Sequence, residues 1–343
     1  MSRFETLRTS IADQLALIER RPVEALDLES LPGDASDRDY VRVRYRIDET
    51  PRSYVVMVMA EPFDPATEPF LDVASHLEAS GISVPAVVGA DPSKGLLVLE
   101  DVGDETLEAF VDRRGLEAAL PLYGEALSLL VRMQVGATEG PPARCVALRR
   151  AFDVDRYVWE LEFFVEHMIE GLRERTVAPD DRRALREEFT RLSRFCVEQP
   201  QVFAHRDYHS RNLMVQDGRL RVLDFQDARL GCRAYDLASL LRDSYVTLPE
   251  EMVEELFAAY LAQWAEASGR PEDPDAFGVL FDQMAVQRNL KAVGTFASQW
   301  RLYGRDYRRY ISPTLASVRA NLVKYDDLAR LRSLLGEYLE ELA

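Results

Sequence analysis

His205-Arg206-Asp207-Tyr208-His209-Ser210-Arg211-Asn212-Leu213-Met214, followed by Val222-Leu223-Asp224-Phe225-Gln226-Asp227, is the stretch on which the reading of this chain turns. Phosphoryl transfer needs a carboxylate to orient an attacking hydroxyl, and a second carboxylate with an Asn to hold the divalent cation that bridges the nucleotide phosphates. Asp207 is the candidate base. Asn212, five residues on, and Asp224, twelve further past a turn, are the candidate metal ligands, an oxygen set that suits Mg²⁺. Each alone is equally well a turn cap or a strand end. Together, the five identities His205, Asp207, Asn212, Asp224 and Phe225 at this spacing arise from composition alone in on the order of one chain in ten thousand of this length.

Around this stretch, Val202 to Ala204, Leu213 to Val215 and Leu220 to Leu223 read as short strands about the turn Gln216-Asp217-Gly218. A β patch within helical sequence presents loops, and loops carry chemistry. Apolar periodicity predicts helices over Leu116 to Gln134, Val154 to Leu172, Asp181 to Val197, Pro249 to Ala267, Phe277 to Trp300 and, with a break, Asp306 to Leu342. Toward the amino terminus the pattern is a helix followed by about five strands. Val and Tyr alternate with Arg from Tyr40 to Ile47, Arg52 to Ala60 continues the pattern, and Leu96 to Leu99 reads as a fully buried strand. One helix is expected among them, because Phe63, Phe70, Val73, Ala74 and Leu77 recur at helical spacing between Glu61 and Gly81. Composition changes at Glu100-Asp101-Val102-Gly103-Asp104, which divides the chain into residues 1–101 and 102–343.

The 343 residues are 47% hydrophobic and 29% charged, enough for one large core or two smaller ones. A net charge of −17 repels nucleic acid and anionic lipid at long range, so neither is an expected partner. Cys145, Cys196 and Cys232 are odd in number and far apart, against a disulfide framework or zinc site and consistent with reduced cytosol. The amino-terminal segment mixes Arg3, Glu5, Arg8, Asp13 and Glu19 into its apolar residues and does not read as a signal peptide. The longest apolar runs are strand-sized, so no membrane span is expected and a cytoplasmic location is.

The segment from His205 to Asn212, with Asp224-Phe225-Gln226 and Ala234-Tyr235-Asp236-Leu237-Ala238, resembles the aminoglycoside phosphotransferase and choline kinase superfamily. That resemblance implies an α+β, protein-kinase-like bilobal fold, with a small β-rich N-lobe and a large, mostly helical C-lobe. Within the superfamily the chain looks most like the bacterial anomeric kinases of N-acetylmuramate and N-acetylglucosamine. Gly33-Asp34-Ala35-Ser36, Val55-Val56-Met57, Leu223 to Ala228 and, most diagnostically, Val286-Gln287-Arg288-Asn289-Leu290-Lys291 carry the likeness. It implies ATP and Mg²⁺ as cofactors and a small-molecule amino sugar as substrate, and leaves the oligomeric state open. Leu31 to Asp39 becomes the phosphate-covering loop, with Gly33 at its turn and N–H groups near Ser36 on the phosphates. Glu100 to Val102 becomes the hinge whose backbone, at Glu100 and Val102, binds adenine, and Asp236 a brace for the catalytic loop.

One departure stands out. Protein kinases hold the α- and β-phosphates with a third-strand Lys; this chain has only Lys94, Lys291 and Lys324, and Met57 or Met59 occupies that place. Arg38, Arg42 or Arg44 could substitute. In the buried helix predicted over Phe277 to Trp300, Arg288 and Lys291 share a face and need partners. They either contact the sugar or form internal ion pairs, for instance with Asp236 or Asp243. Tyr208, His209 and Arg211, beside the base, are further candidates for substrate contact. The rival readings are a kinase of another hydroxyl (aminoglycoside, choline or homoserine) and a nucleotide-binding pseudokinase.

Overall fold

Val41, Val43 and Tyr45 turn one way and Tyr40 and Arg42 the other, as alternation along a strand requires. The computed structural model describes residues 3–31, 38–139 and 145–343 of the chain. Helix α1 (Arg3–Glu19) precedes β1 (Asp27–Leu31), β2 (Arg38–Ile47) and β3 (Thr50–Met59), and α2 (Pro69–Ala79), β4 (Val87–Asp91) and β5 (Leu96–Glu100) follow. The strands form one antiparallel sheet in the order β1-β2-β3-β5-β4. Its outer face packs Val41, Val43, Val56, Val58 and Val98 under Ile11 and Leu15 of α1. On the inner face Met57, Met59, Leu97 and Leu99 meet Phe70, Val73 and Leu77 of α2 and join the core of the helical region.

The helix expected between Glu61 and Gly81 begins only at Pro69, so Phe63 lies outside it. Pro69 restricts the residue before it to extended backbone, and Glu68, at φ −70° and ψ 117°, then caps the helix by accepting the Phe70 N–H.

Beyond the sheet come α3 (Leu107–Arg114), α4 (Leu116–Arg132), α5 (Val154–Phe164) and α6 (Pro179–Val197), then the β patch of β6 (Gln201–Ala204), β7 (Leu213–Gln216), β8 (Arg219–Val222) and β9 (Arg229–Cys232). The chain continues as α7 (Ala234–Leu241), α8 (Glu250–Ser268), α9 (Pro274–Tyr303), α10 (Ile311–Leu322) and α11 (Ala329–Gly336). Every helix read from the periodicity is present. Three elements go beyond it: α3 and α7, eight residues each, and β9, four residues, are too short to display a period, and α7 is buried all round. β9 pairs with β6, while β7 and β8 form a hairpin whose turn places Asp217 at φ 51° and Gly218 at φ 74°. Hydrogen bonds from the Val222 N–H to the Ser83 carbonyl and from the Val215 N–H to the Glu105 carbonyl, 2.8 and 2.7 Å, fasten this hairpin under the sheet.

α9 runs through the middle of the helical region, in contact with α5, α7 and α10, and its buried residues extend from Phe277 to Ser298. At Gly294 it approaches α5 so closely that a Cβ would lie 2.7 Å from the Phe164 Cα. The three cysteines are free and buried. Among the described residues no helix is long and apolar enough to cross a membrane.

Candidate active site

β6 delivers the chain to His205 in the interior, and the backbone of the loop after it is latched by buried carboxylates. Asp236, at the start of α7, accepts the His205 and Arg206 N–H groups at 2.6 and 2.9 Å, which is the brace expected of it. Burial, with Asp207 nearby, pushes its carboxyl up to about 7. The His205 Nε2–H donates to the Leu223 carbonyl (2.8 Å) and its Nδ1 accepts the Asp207 N–H (3.3 Å), which fixes the neutral tautomer; burial lowers its pKa to about 4. Asp243 accepts the Ser210 N–H at 2.8 Å. Arg206 and Asp224, at φ 84° and 61°, occupy left-handed backbone that non-glycine residues rarely adopt, and both flank the site.

Asn212 and Asp224 are brought together at the base of the hairpin, where the Leu223 N–H donates to the Asn212 carbonyl at 2.9 Å. The Asn212 Nδ2 is committed to the Asp207 carbonyl (2.9 Å), so its amide oxygen is the atom left for a cation. Asp224 Oδ1 accepts from the Gln226 Nε2 at 2.8 Å. One amide oxygen and one carboxylate make a sparse oxygen set of the kind Mg²⁺ accepts when phosphates and water complete its shell. Among the described residues there is no cluster of three or more His, Cys, Asp or Glu that could hold a metal. The residues present fit a shared Mg²⁺-nucleotide site and no preformed metal cage.

Between the sheet and this hairpin lies a cleft of about 330 Å³. Leu31, Tyr40, Val55 and Leu99 wall it from above, Glu100 and Val102 close one end, and Asn212, Asp224 and Phe225 form its floor. Gly33 and Ser36 lie outside the described residues. Arg42 borders this cleft, but its guanidinium is spent on the connection between sheet and helices: Nε and Nη2 bond Asp101 at 2.8 and 3.0 Å, Nη1 bonds Asp104, and Nη2 also reaches the Gly103 carbonyl. That corrects the reading of Arg42 as a phosphate-binding cation, since every direction of its fork is taken. Arg44 is half-exposed and pairs with Glu29 at 2.6 Å.

On the other side of Asp207 is a much smaller pocket of about 50 Å³, bordered by Asp207, His209, Asp243, Tyr245, Arg288 and Lys291. Arg288 and Lys291 are paired with neither Asp236 nor Asp243. Both reach Asp207 itself, whose Oδ1 accepts from the Arg288 Nη2 at 3.2 Å and the Lys291 Nζ at 3.1 Å, and the Arg288 Nε also bonds the Ser239 hydroxyl. Burial alone would raise the Asp207 carboxyl, but Lys291, Arg288 and Arg206 outweigh it and hold it well below the usual carboxylate range.

The neighbours of the base differ among themselves. Tyr208, read as a substrate contact, is fully buried and donates its hydroxyl to the Ala126 carbonyl at 2.8 Å, so it belongs to the core. His209 does border the pocket, edge-on to Tyr245, and its buried Nδ1 has no hydrogen-bond partner among the described residues; burial lowers its pKa to about 3. Arg211 stands in the wall between cleft and pocket, bonded to Glu108 at 2.6 Å with its guanidinium 4.5 Å from the Tyr245 ring centre. Glu108, Ser239 and Tyr245 are not singled out in sequence, and Asp243 only as an ion-pair partner for Arg288 or Lys291: all four sit in short or irregular elements with no period of their own.

A candidate base and candidate metal-ligand pair on a latched loop, below a cleft under an antiparallel sheet, are the arrangement of a phosphotransferase of protein-kinase-like fold. Residues 27–271 match the phosphotransferase enzyme family that includes the aminoglycoside phosphotransferases. The chain belongs to this family and is a phosphotransferase with a hydroxyl acceptor. It is 35% identical over 323 residues to the N-acetylmuramate/N-acetylglucosamine kinase of Neisseria meningitidis serogroup B, covering 92% of each chain. To the protein of the same name from Pseudomonas putida it is 32% identical over 326 residues, covering 92% of this chain and 89% of that one. The fold is shared with amicoumacin kinase hAmiN, solved with AMP-PNP, Ca²⁺ and Ami: TM-score 0.63, 14% identity, 96% of this chain and 97% of that one covered.

Proposed function

We propose that the chain transfers the γ-phosphoryl group of ATP to the anomeric hydroxyl of N-acetylmuramic acid or N-acetylglucosamine, a cytoplasmic step in the recycling of cell-wall sugars. The observation that carries this reading is the clamp on Asp207: one carboxylate oxygen shared by Arg288 and Lys291 at the edge of a small polar pocket. A carboxylate held this way is a weak proton acceptor, and it suits an acceptor oxygen more acidic than an ordinary alcohol, as a hemiacetal hydroxyl is. Two cations at the pocket also disfavour the cationic acceptors of an aminoglycoside or choline kinase and favour a neutral or carboxylate-bearing sugar. Relatives over nearly the full length carry that sugar-kinase name.

In this reading Asp207 orients the C1 hydroxyl and takes its proton as the new O–P bond forms and the bond to the departing ADP breaks. Arg288 and Lys291 face the sugar and the incoming phosphoryl group, His209 Nδ1 finds its missing partner in an acceptor hydroxyl, and Arg211 lines the approach. Mg²⁺ held by Asn212 and Asp224 would neutralise the charge developing between the β- and γ-phosphates. Residues 1–101 supply most nucleotide contacts, through Gly33, Ser36 and the backbone at Glu100, and residues 102–343 supply the hinge backbone at Val102 together with base, metal ligands and sugar pocket.

A blocked sugar tests it. N-acetylglucosamine is phosphorylated, and its 1-O-methyl glycoside, which keeps every other hydroxyl, is not, although it still competes for binding. Phosphorylation of the glycoside at a comparable rate overturns the anomeric reading and moves the chain toward the aminoglycoside-type kinases.

A further inference from the structure

The nucleotide cleft lacks a lysine on its third strand: Val55, Met57 and Met59 occupy the inner face of β3, and Met57 is fully buried. A triphosphate carrying several negative charges, in a protein of net charge −17, needs a cation there from somewhere. Of the four arginines on this face of β2, Arg42 is consumed by Asp101 and Asp104, Arg44 lies half-exposed beside Glu29, and Arg46 is exposed at the far end of the strand, paired with Glu49 at 3.2 Å. Arg38 remains.

Pairing register puts Arg38 directly across from Met59, two residues beyond Tyr40, which itself lies across from Met57. Residues paired across strands point to the same face, so Arg38 stands on the inner face of the sheet, two residues along β2 from the cleft-lining Tyr40. Among the described residues its one ion pair is to Glu68 Oε1, at 3.5 Å, with both side chains mostly shielded from solvent (19% and 13% exposed). Glu68 caps α2, and two residues on, the Phe70 ring lies 4.9 Å from the ring of Phe225, the residue after Asp224. A guanidinium oriented by a helix-capping carboxylate thus stands on the cleft's side of the sheet, next to the helix whose Phe70 meets Phe225.

We propose that Arg38, oriented by Glu68, holds the α- and β-phosphates of the nucleotide, so that the cation found on the third strand of protein kinases is supplied here from the second. A single 3.5 Å ion pair leaves most of the guanidinium fork for phosphate oxygens, and its bidentate geometry matches them. The inference rests on the nucleotide reading above and is separable from it. Equilibrium binding of ADP and of adenosine to the full-length chain, with Mg²⁺ present, provides the test. Arg38→Ala weakens ADP by about tenfold or more while adenosine stays within about twofold, Arg38→Lys recovers part of the loss, and Glu68→Gln, which keeps the cap, weakens ADP by a smaller factor. Arg44→Ala leaves both ligands as in the wild type. Unchanged ADP binding by folded Arg38→Ala overturns the proposal, as does an equal loss for adenosine, which would make Arg38 a brace of the sheet. Failure of the wild-type chain to bind ADP at all would instead bring down the nucleotide reading.

Discussion

The cleft beneath the sheet encloses about 330 Å³ and is walled mainly by Leu31, Tyr40, Val55, Leu99 and Phe225, whereas the pocket beyond Asp207 encloses about 50 Å³ between Asp207, Asp243, Arg288 and Lys291. The first can hold a flat aromatic ligand by apolar burial and backbone contacts, which tolerate many side chains. The second works through a few charges fixed by one another, where a single exchange leaves a buried ion without its partner. In the proposed reading, nucleotide affinity and acceptor chemistry are therefore separable, and substitutions on the two sides have different signatures.

Asp224→Ala has the largest expected effect, because it strikes the point the two sides share. Nucleotide binding measured with and without Mg²⁺ loses its metal dependence and turnover disappears; Mg²⁺-dependent binding equal to wild type would make Asp224 purely structural. Next, Asp207→Asn lowers turnover by about a hundredfold or more while ADP binding survives. It also leaves Arg288 and Lys291 facing each other across a neutral amide, so its melting temperature falls. Near-normal turnover removes Asp207 from the chemistry.

Lys291→Met is milder and reads the charge balance directly. With one clamping cation gone, the Asp207 carboxyl titrates higher, and because the ionised form is the active one, the acid limb of the kcat/KM profile moves to higher pH. In the wild type the depressed carboxyl stabilises the fold at pH above its unfolded value of about 4, and that contribution is lost as pH falls through the lower folded value. An acid limb that does not move would show that Lys291 exerts no electrostatic hold on the base. Asp236→Ala orphans two buried N–H groups and lowers stability by about 2–5 kcal/mol in denaturant unfolding, with a loss of kcat and little change in either KM. Smallest of all, Tyr208→Phe costs about 1 kcal/mol for one buried hydrogen bond and leaves sugar kinetics untouched; a raised sugar KM would return Tyr208 to the acceptor site.

The same division governs what could be read from sequence. Base, metal ligands and loop brace lie within 30 residues along the chain, from Asp207 to Asp236, and their spacing is dictated by one local structure, so the motif speaks for itself. Strand alternation in β2 and β3 and the long periods of α4 to α6, α8 and α9 were equally legible, because burial on one side or all round leaves a mark on consecutive residues. Pairings were not. Asp207 meets Lys291 across 84 residues and Arg42 meets Asp101 across 59, and composition offered Arg288 several acidic partners of equal plausibility. Tyr208 failed for a related reason: it adjoins the proposed base in sequence, but the turns of this loop send its ring into the core, where the hydroxyl meets the Ala126 carbonyl. Glu68, which caps α2 and pairs with Arg38, gave no sign of either role in sequence.

Gly294 sets a limit on how this molecule can be altered. With a Cβ there 2.7 Å from the Phe164 Cα, any other residue lifts α9 away from α5, and Lys291 and Arg288, one and two turns upstream, rise with it. Gradual drift in acceptor preference is consequently open at Tyr245, Thr295 and Phe296, whose side chains change the outline of the pocket while the helix stays seated. Moving the cations themselves means moving α9, and the close seat of Gly294 on α5 resists that.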